Sequence, residues 1–237
     1  MSYVELHAGS AFSFLRGASF PEQLAETAAE LEMPALALLD RNGVYGAQRF
    51  SVAAREQNVR PIIGCELSLE DDSILPVLVE NRTGYKNLCE LLTQTHLRSE
   101  KGKCAVQWNE LSAFAEGLVA FVGEAVCFPR DANSVAYSSK NRTRFLIGAF
   151  GRENVFVEIQ RHFLRGEERI NRQLVDLGYE WRPVRQTVWA RSSRRLYLYS
   201  RAHAPRCRRK TPHAKFRAAF EERSRDARNF PRFPGGD

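Results

Sequence analysis

Residues 35–69, ALALLDRNGVYGAQRFSVAAREQNVRPIIGCELSL, decide how this chain folds. ALALLD is a short unbroken apolar run closed by an acid, Asp40, the pattern of a parallel strand covered on both faces. Asn42-Gly43 then turns the chain. A helix is predicted over roughly residues 45–57, and a second strand over 61–69, carrying a glutamate, Glu66, among apolar neighbours. Strand, helix, strand in that order is the signature of an α/β fold.

The same alternation extends both ways. Upstream, Tyr3–His7 alternates as a strand does. Ser19 with Glu22 three residues on reads as a capping box, with Pro21 in the first turn. The helix PEQLAETAAELE runs from there to Glu32, with Leu24, Ala28 and Leu31 on one face, and Pro34 stops it. Downstream, a strand is predicted over 74–80 and a helix over 85–97 with Leu88, Leu91, Leu92 and Thr95 inward. A short helix over 108–114 and a strand over 118–122 follow. Residues 127–141 carry no readable pattern. Residues 145–150 end a helix, 155–159 form a strand, and a helix begins at Glu167.

At Gly178 the text changes character. Residues 1–177 hold 19 Lys and Arg against 23 Asp and Glu, whereas residues 178–237 hold 16 against 5. The whole net charge of +7 therefore comes from the last quarter of the chain. That quarter contains no isoleucine or methionine, and its Leu, Ile, Val and Phe content lies below the roughly 20% under which charged segments stay disordered. Three readings fit it: a basic disordered tail, a nucleic-acid arm with Trp181, Trp189, Tyr197 and Tyr199 set among arginines, and an out-of-frame translation of a GC-rich gene. The last fits the aperiodic Arg-, Pro-, Ser- and Ala-rich text best. Two organisational units are expected, 1–177 and 178–237.

No run of eighteen apolar residues and no secretion signal is present. The five cysteines, Cys65, Cys89, Cys104, Cys127 and Cys207, are scattered and form no C-x-x-C pair. Reduced thiols in a cytoplasmic protein without membrane partners are expected.

His7, Asp40, Glu66 and His162 each fall at or just past the end of a strand-like run. Catalytic residues of strand-helix barrels gather at the C-terminal ends of strands. Imidazole and carboxylate are also the ligands of zinc, manganese and iron. These four are the candidate metal ligands. Each has a plainer reading, since a lone histidine in a strand is usually a hydrogen-bonded structural residue and Asp40 suits a turn. Glu66 is the hardest to set aside, because a glutamate in an apolar strand needs a partner.

The segments YVELHAGSAFSFLRGASFPEQL, ALALLDRNGVYGAQRF, RPIIGCEL, LVENRTGYKNLCELLTQTHLRSEKG and GRENVFVEIQRHF, in order across residues 3–177, resemble the amino-terminal PHP domain of bacterial C-family DNA polymerases, in the error-prone branch of the α-subunit type. The resemblance implies a distorted (β/α)7 barrel whose strand ends bind up to three metals. It sets His7 on the first histidine of an opening His-x-His pair, with Gly9 where the second would be. Asp40 falls on the aspartate of an Asp-His pair, with Arg41 in place of its histidine. Glu66 matches a bridging glutamate and His162 a later histidine ligand. A Thr-Asn pair and a late Asp-x-His are implied after the helix that begins near Glu167, just where the text breaks, and residues 127–144 also depart from the family text.

An incomplete barrel with a degenerate site, holding zinc or manganese weakly if at all, is therefore expected. In the family the palm, fingers and thumb follow this domain, the palm using Mg²⁺ for DNA replication and translesion repair synthesis. None of their motifs is read here, so the chain is expected to be a truncated polymerase without polymerase activity. The implied partners are other replication or mutasome proteins, together with nonspecific DNA through Arg194, Arg195, Arg208, Arg209 and Lys210. The rivals are a stand-alone PHP phosphoesterase using metal-activated water and a small DNA-binding protein working through residues 178–237.

Overall fold

The structure, a computed structural model, describes residues 3–100, 102–127, 139–160, 165–180 and 185–189. Within them lies one sheet of seven strands in the order of the sequence: β1 (Glu5–Ala8), β2 (Ala35–Arg41), β3 (Arg60–Ser68), β4 (Ile74–Val79), β5 (Leu118–Val122), β6 (Val155–Gln160) and β7 (Arg185–Trp189). β1, β2 and β3 run parallel, β4 is antiparallel to both neighbours, and β5, β6 and β7 are parallel again. The reversal at β4 follows from its connection. Only the five residues 69–73 join it to β3, and a parallel return needs a dozen or more.

The sheet curls. Leu6, Ala37, Leu39, Ile62, Leu78, Val119, Phe121 and Phe156, drawn from β1 to β6, form one buried cluster on its inner face. The residues between them in each strand point outward to two further clusters. One lies under α1 (Pro21–Glu30) and α2 (Ala47–Glu56), the other under α3 (Arg82–Arg98), α4 (Leu111–Phe114), α6 (Ser139–Phe150) and α7 (Glu167–Glu180). This is the incomplete (β/α) barrel that the resemblance implies, with β1 and β7 at the margins of the sheet among the described residues.

Several local expectations change. The amino-terminal cap of α1 is Phe20, not Ser19, and it is Gln23 whose side-chain oxygen accepts from the Phe20 N–H at 2.9 Å. Glu22 turns instead to Arg49 on α2. The predicted 108–114 helix is a 3₁₀ turn, Trp108–Glu110, followed by the four residues of α4. Residues 127–141 showed no pattern, yet α5 (Glu124–Cys127) lies at their start and α6 begins at Ser139. Arg142, inside the stretch that departs from the family text, is buried and pairs with Asp71 on the β3–β4 turn. The boundary expected at residue 177 falls within α7, and β7 takes residues 185–189 into the sheet. The rest of the basic segment, 181–184 and 190–237, with Trp181, Tyr197 and Tyr199, lies outside the described residues.

The ENRTGYKNL phrase is structural. Asn81 caps α3, its Oδ1 accepting from the Gly84 N–H at 3.0 Å. Gly84 lies against the backbone of Gly117, whose carbonyl also accepts from the Glu80 N–H at 2.9 Å. The predicted inner face of α3, Leu88, Leu91, Leu92 and Thr95, is buried.

Candidate metal centre

The inner face of a curled sheet becomes polar where the strands end, because the loops there admit water. Three of the strand-end residues singled out in the sequence, His7, Asp40 and Glu66, lie at this end; His162 falls outside the described residues, as do Arg194, Arg195, Arg208, Arg209 and Lys210. Strand β1 reaches the site through an irregularity. Its residues Glu5 and Ala8 pair with Leu36 and Leu38, three steps against two. Such a bulge re-aims side chains. It lets Leu6 join the inner apolar layer while His7 meets the polar residues above it.

His7 is held between two carboxylates. Its Nε2 lies 2.7 Å from Glu66 Oε1 on β3, and its Nδ1 lies 2.6 Å from Glu158 Oε1 on β6. Burial opposes a charge on this ring, but the two carboxylates outweigh it and raise the pKa to about 10. Gln160, two residues along β6, reaches both Glu158 and the ring. Arg41 takes the other side of Glu66: its Nη2 and Nε lie 2.8 and 2.9 Å from Oε2. A chain of alternating charge, Glu158, His7, Glu66, Arg41, therefore runs across the mouth of the barrel.

Asp40 is turned away from this chain. Its Oδ1 accepts from the Ser10 N–H at 2.8 Å and from the Ser13 hydroxyl at 2.7 Å, and the Ser10 hydroxyl lies 2.9 Å from both its oxygens. It anchors the loop after β1. Glu5 accepts from the Tyr3 hydroxyl and the His7 N–H, and burial raises its pKa to about 7.

These residues do not fit a metal as they stand. Both ring nitrogens of His7 are engaged by carboxylates, at 2.7 and 2.6 Å. Arg41 supplies to Glu66 the positive charge a cation would bring, and Asp40 is engaged by hydroxyl donors. Among the described residues, no group of three or more His, Cys, Asp and Glu is arranged to hold a metal ion. The sequence reading missed Glu158 and Gln160. The signal was present in VFVEIQ, where an acid interrupts an apolar strand as Glu66 does in IIGCEL.

The sequence profile of the PHP domain matches residues 5–162. The chain belongs to the PHP domain family. Curated relatives include error-prone DNA polymerase 1 of Agrobacterium fabrum, 43% identical over 117 residues, covering 49% of this chain and 11% of that one. The error-prone DNA polymerase of Mycolicibacterium paratuberculosis is 45% identical over 126 residues, covering 48% and 12%. That of Anaeromyxobacter sp. (strain K) is 37% identical over 180 residues, covering 70% and 15%. The match thus spans 15% or less of the length of these three relatives. In fold, this PHP domain is similar to a protein from Bifidobacterium adolescentis that was assigned as a metal-dependent phosphoesterase, with a TM-score of 0.59 at 13% identity over 79% of this chain and 86% of that one. Among the described residues, no helix is long and apolar enough to cross a membrane.

The charged chain makes stability depend on pH. His7 titrates at 6.5 when unfolded and at about 10 when folded. Its contribution is therefore complete below pH 6.5 and is lost as pH rises through 10. Glu5, raised from 4.5 to about 7, acts in the same sense at lower pH. We expect the Tm of the wild-type protein to fall steadily from about pH 7 to about pH 9, and the fall to flatten in His7→Gln. Parallel profiles for the two proteins would show that His7 is not charged in the fold.

Proposed function

We propose that this PHP domain is the amino-terminal module of an error-prone DNA polymerase of the α-subunit type, and that it serves there as a scaffold rather than as a phosphoesterase. The observation that carries the second part is the His7 ring, bonded on both nitrogens to carboxylates, with Arg41 seated on Glu66. An ion-pair chain fixes the barrel mouth without a metal. Nucleotidyl transfer with Mg²⁺, replication, translesion synthesis and contacts with other replication proteins belong, on this reading, to the longer protein of which this chain is a piece.

The test is elemental analysis of the purified chain after dialysis against buffer free of metal and chelator. Well under one zinc or manganese per chain is expected. One or more tightly held ions would instead support the phosphoesterase reading. Gly9→His/Arg41→His is the positive control. A Cβ at position 9 meets nothing closer than 3.6 Å, and loss of the guanidinium releases Glu66.

We further propose that residues 190–237, with 14 Lys and Arg against 4 Asp and Glu, contact DNA nonspecifically. If about five to eight cations meet phosphates, affinity falls by roughly two to four orders of magnitude between 50 and 200 mM salt. A flat salt response in a titration with duplex DNA would refute this.

A further inference from the structure

Six of the eight large apolar side chains exposed among the described residues lie in two neighbouring segments: Phe12, Phe14, Leu15 and Phe20 after β1, and Tyr45 and Val52 after β2. Phe14 is 83% exposed and Leu15 89%. Leu15 also has φ +60°, a left-handed conformation costly for a branched apolar residue. The loop does not hold this shape by chance. Asp40 grips Ser10 and Ser13, the Arg16 and Gly17 N–H groups both donate to the Ser13 carbonyl, and the Ala11 N–H donates to the Ser19 carbonyl at 2.8 Å. The Arg49 guanidinium lies 5.6 Å from each of the Phe12 and Phe20 ring centres. A firmly held loop with an apolar tip is the form of a docking element.

What covers it is indicated by charge and by connection. Glu22, Glu26 and Glu30 recur every fourth residue along α1, so they share one face that starts at the Arg49 stack. Glu26 and Glu30 have no ion pair among the described residues. The occupant should therefore be apolar at its centre and basic at its margins, which argues against nucleic acid. A free-standing dimer needs about 800 Å² from each partner. A tethered segment needs far less, because its effective concentration is high.

This chain carries such a segment. Residues 194–201 read RRLYLYSR, two leucines and two tyrosines flanked by arginines. Trp189 pairs in register with Gln160, whose side chain bonds His7. The chain thus leaves parallel β7 at the same end of the sheet from which the β1 loop departs. We propose that residues 194–201 dock in cis on the β1–α1 surface, residues 196–199 covering Phe14 and Leu15 and the arginines facing Glu26 and Glu30.

Hydrogen exchange on the full chain tests this. Amides 12–20 should exchange about tenfold faster in Arg194→Glu/Arg195→Glu/Arg201→Glu than in the wild type. Amides 194–201 should accelerate similarly in Phe14→Ser/Leu15→Asn. Both replaced side chains are exposed, and asparagine suits a left-handed backbone, so that variant should fold. Unchanged exchange in both segments would overturn the proposal. A single strand of about 20 nucleotides is the second probe. It should bind Phe14→Ser/Leu15→Asn more tightly, because the basic segment is released. Weaker binding by that variant would make the loop a DNA contact and refute docking in cis. A wild-type dimer that the same variant converts to monomer would likewise refute it.

Discussion

His7→Ala is expected to destabilise the fold by about 3–5 kcal/mol, the cost of leaving buried charge uncompensated. The substitution brings two buried carboxylates, Glu66 and Glu158, to face each other without the cation between them. Arg41 stays on the first of these and the Gln160 amide on the second, but neither takes the place of a charge between them. The loss is read from urea unfolding at pH 7. Adding Glu158→Ala to His7→Ala should cost less than Glu158→Ala does in the wild type, because the partner is already gone. A single-variant loss below about 1 kcal/mol would mean that the imidazole is not clamped in solution, and the metal-free scaffold reading would lose its basis.

Gly84→Ala should be as severe through a different cause. A Cβ there would lie 1.9 Å from the Gly117 carbonyl oxygen and 2.4 Å from its carbon. Both obstacles are backbone. Gly117 has φ +74°, and its carbonyl is already held by the Glu80 N–H, so it has little freedom to retreat. Forced overpacking usually costs about 1–3 kcal/mol where side chains can move. Here the first turn of α3 must separate from the loop before β5, so at least the top of that range is expected. Circular dichroism melts of Gly84→Ala beside Asn81→Ala give the scale, since loss of a cap costs about 1 kcal/mol. Equal melts for the two variants would show that the close approach relaxes freely.

The contrast between fold and site shows what one-dimensional text can hold. ALALLD and PIIGCEL announce two buried parallel strands because both of their faces must be apolar, and β2 and β3 lie where those runs predict. The unbroken apolar run LVAFV over residues 118–122 is as legible, and it forms β5. The amino-terminal cap of α1 slipped by one residue because Ser19 and Phe20 compete for the same role, and Gln23 decided it by its reach. The end of the helical pattern near residue 177 was less clear than composition suggested, because main-chain pairing in β7 does not depend on aliphatic content.

The site was legible in position but not in use. His7 and Glu66 converge as strand-end residues should, yet no spacing rule shows that Glu158, 151 positions from His7, completes the clamp. Nor does the sequence reveal that Asp40 faces serines rather than the mouth. That outcome depends on the path of the loop after β1, which brings Ser10 and Ser13 back onto the carboxylate.

The strands lie side by side in the order in which they are made. During synthesis each strand after β1 can join a sheet whose previous member is already in place. The Arg41–Glu66 pair can close early, with 25 positions between its members. The His7–Glu158 pair cannot, for its members are 151 positions apart. At about 5–20 residues per second, the histidine waits roughly eight to thirty seconds on the ribosome for its second carboxylate. Over that interval the nascent sheet is a strip, and the bond that spans its mouth is one of the last to form.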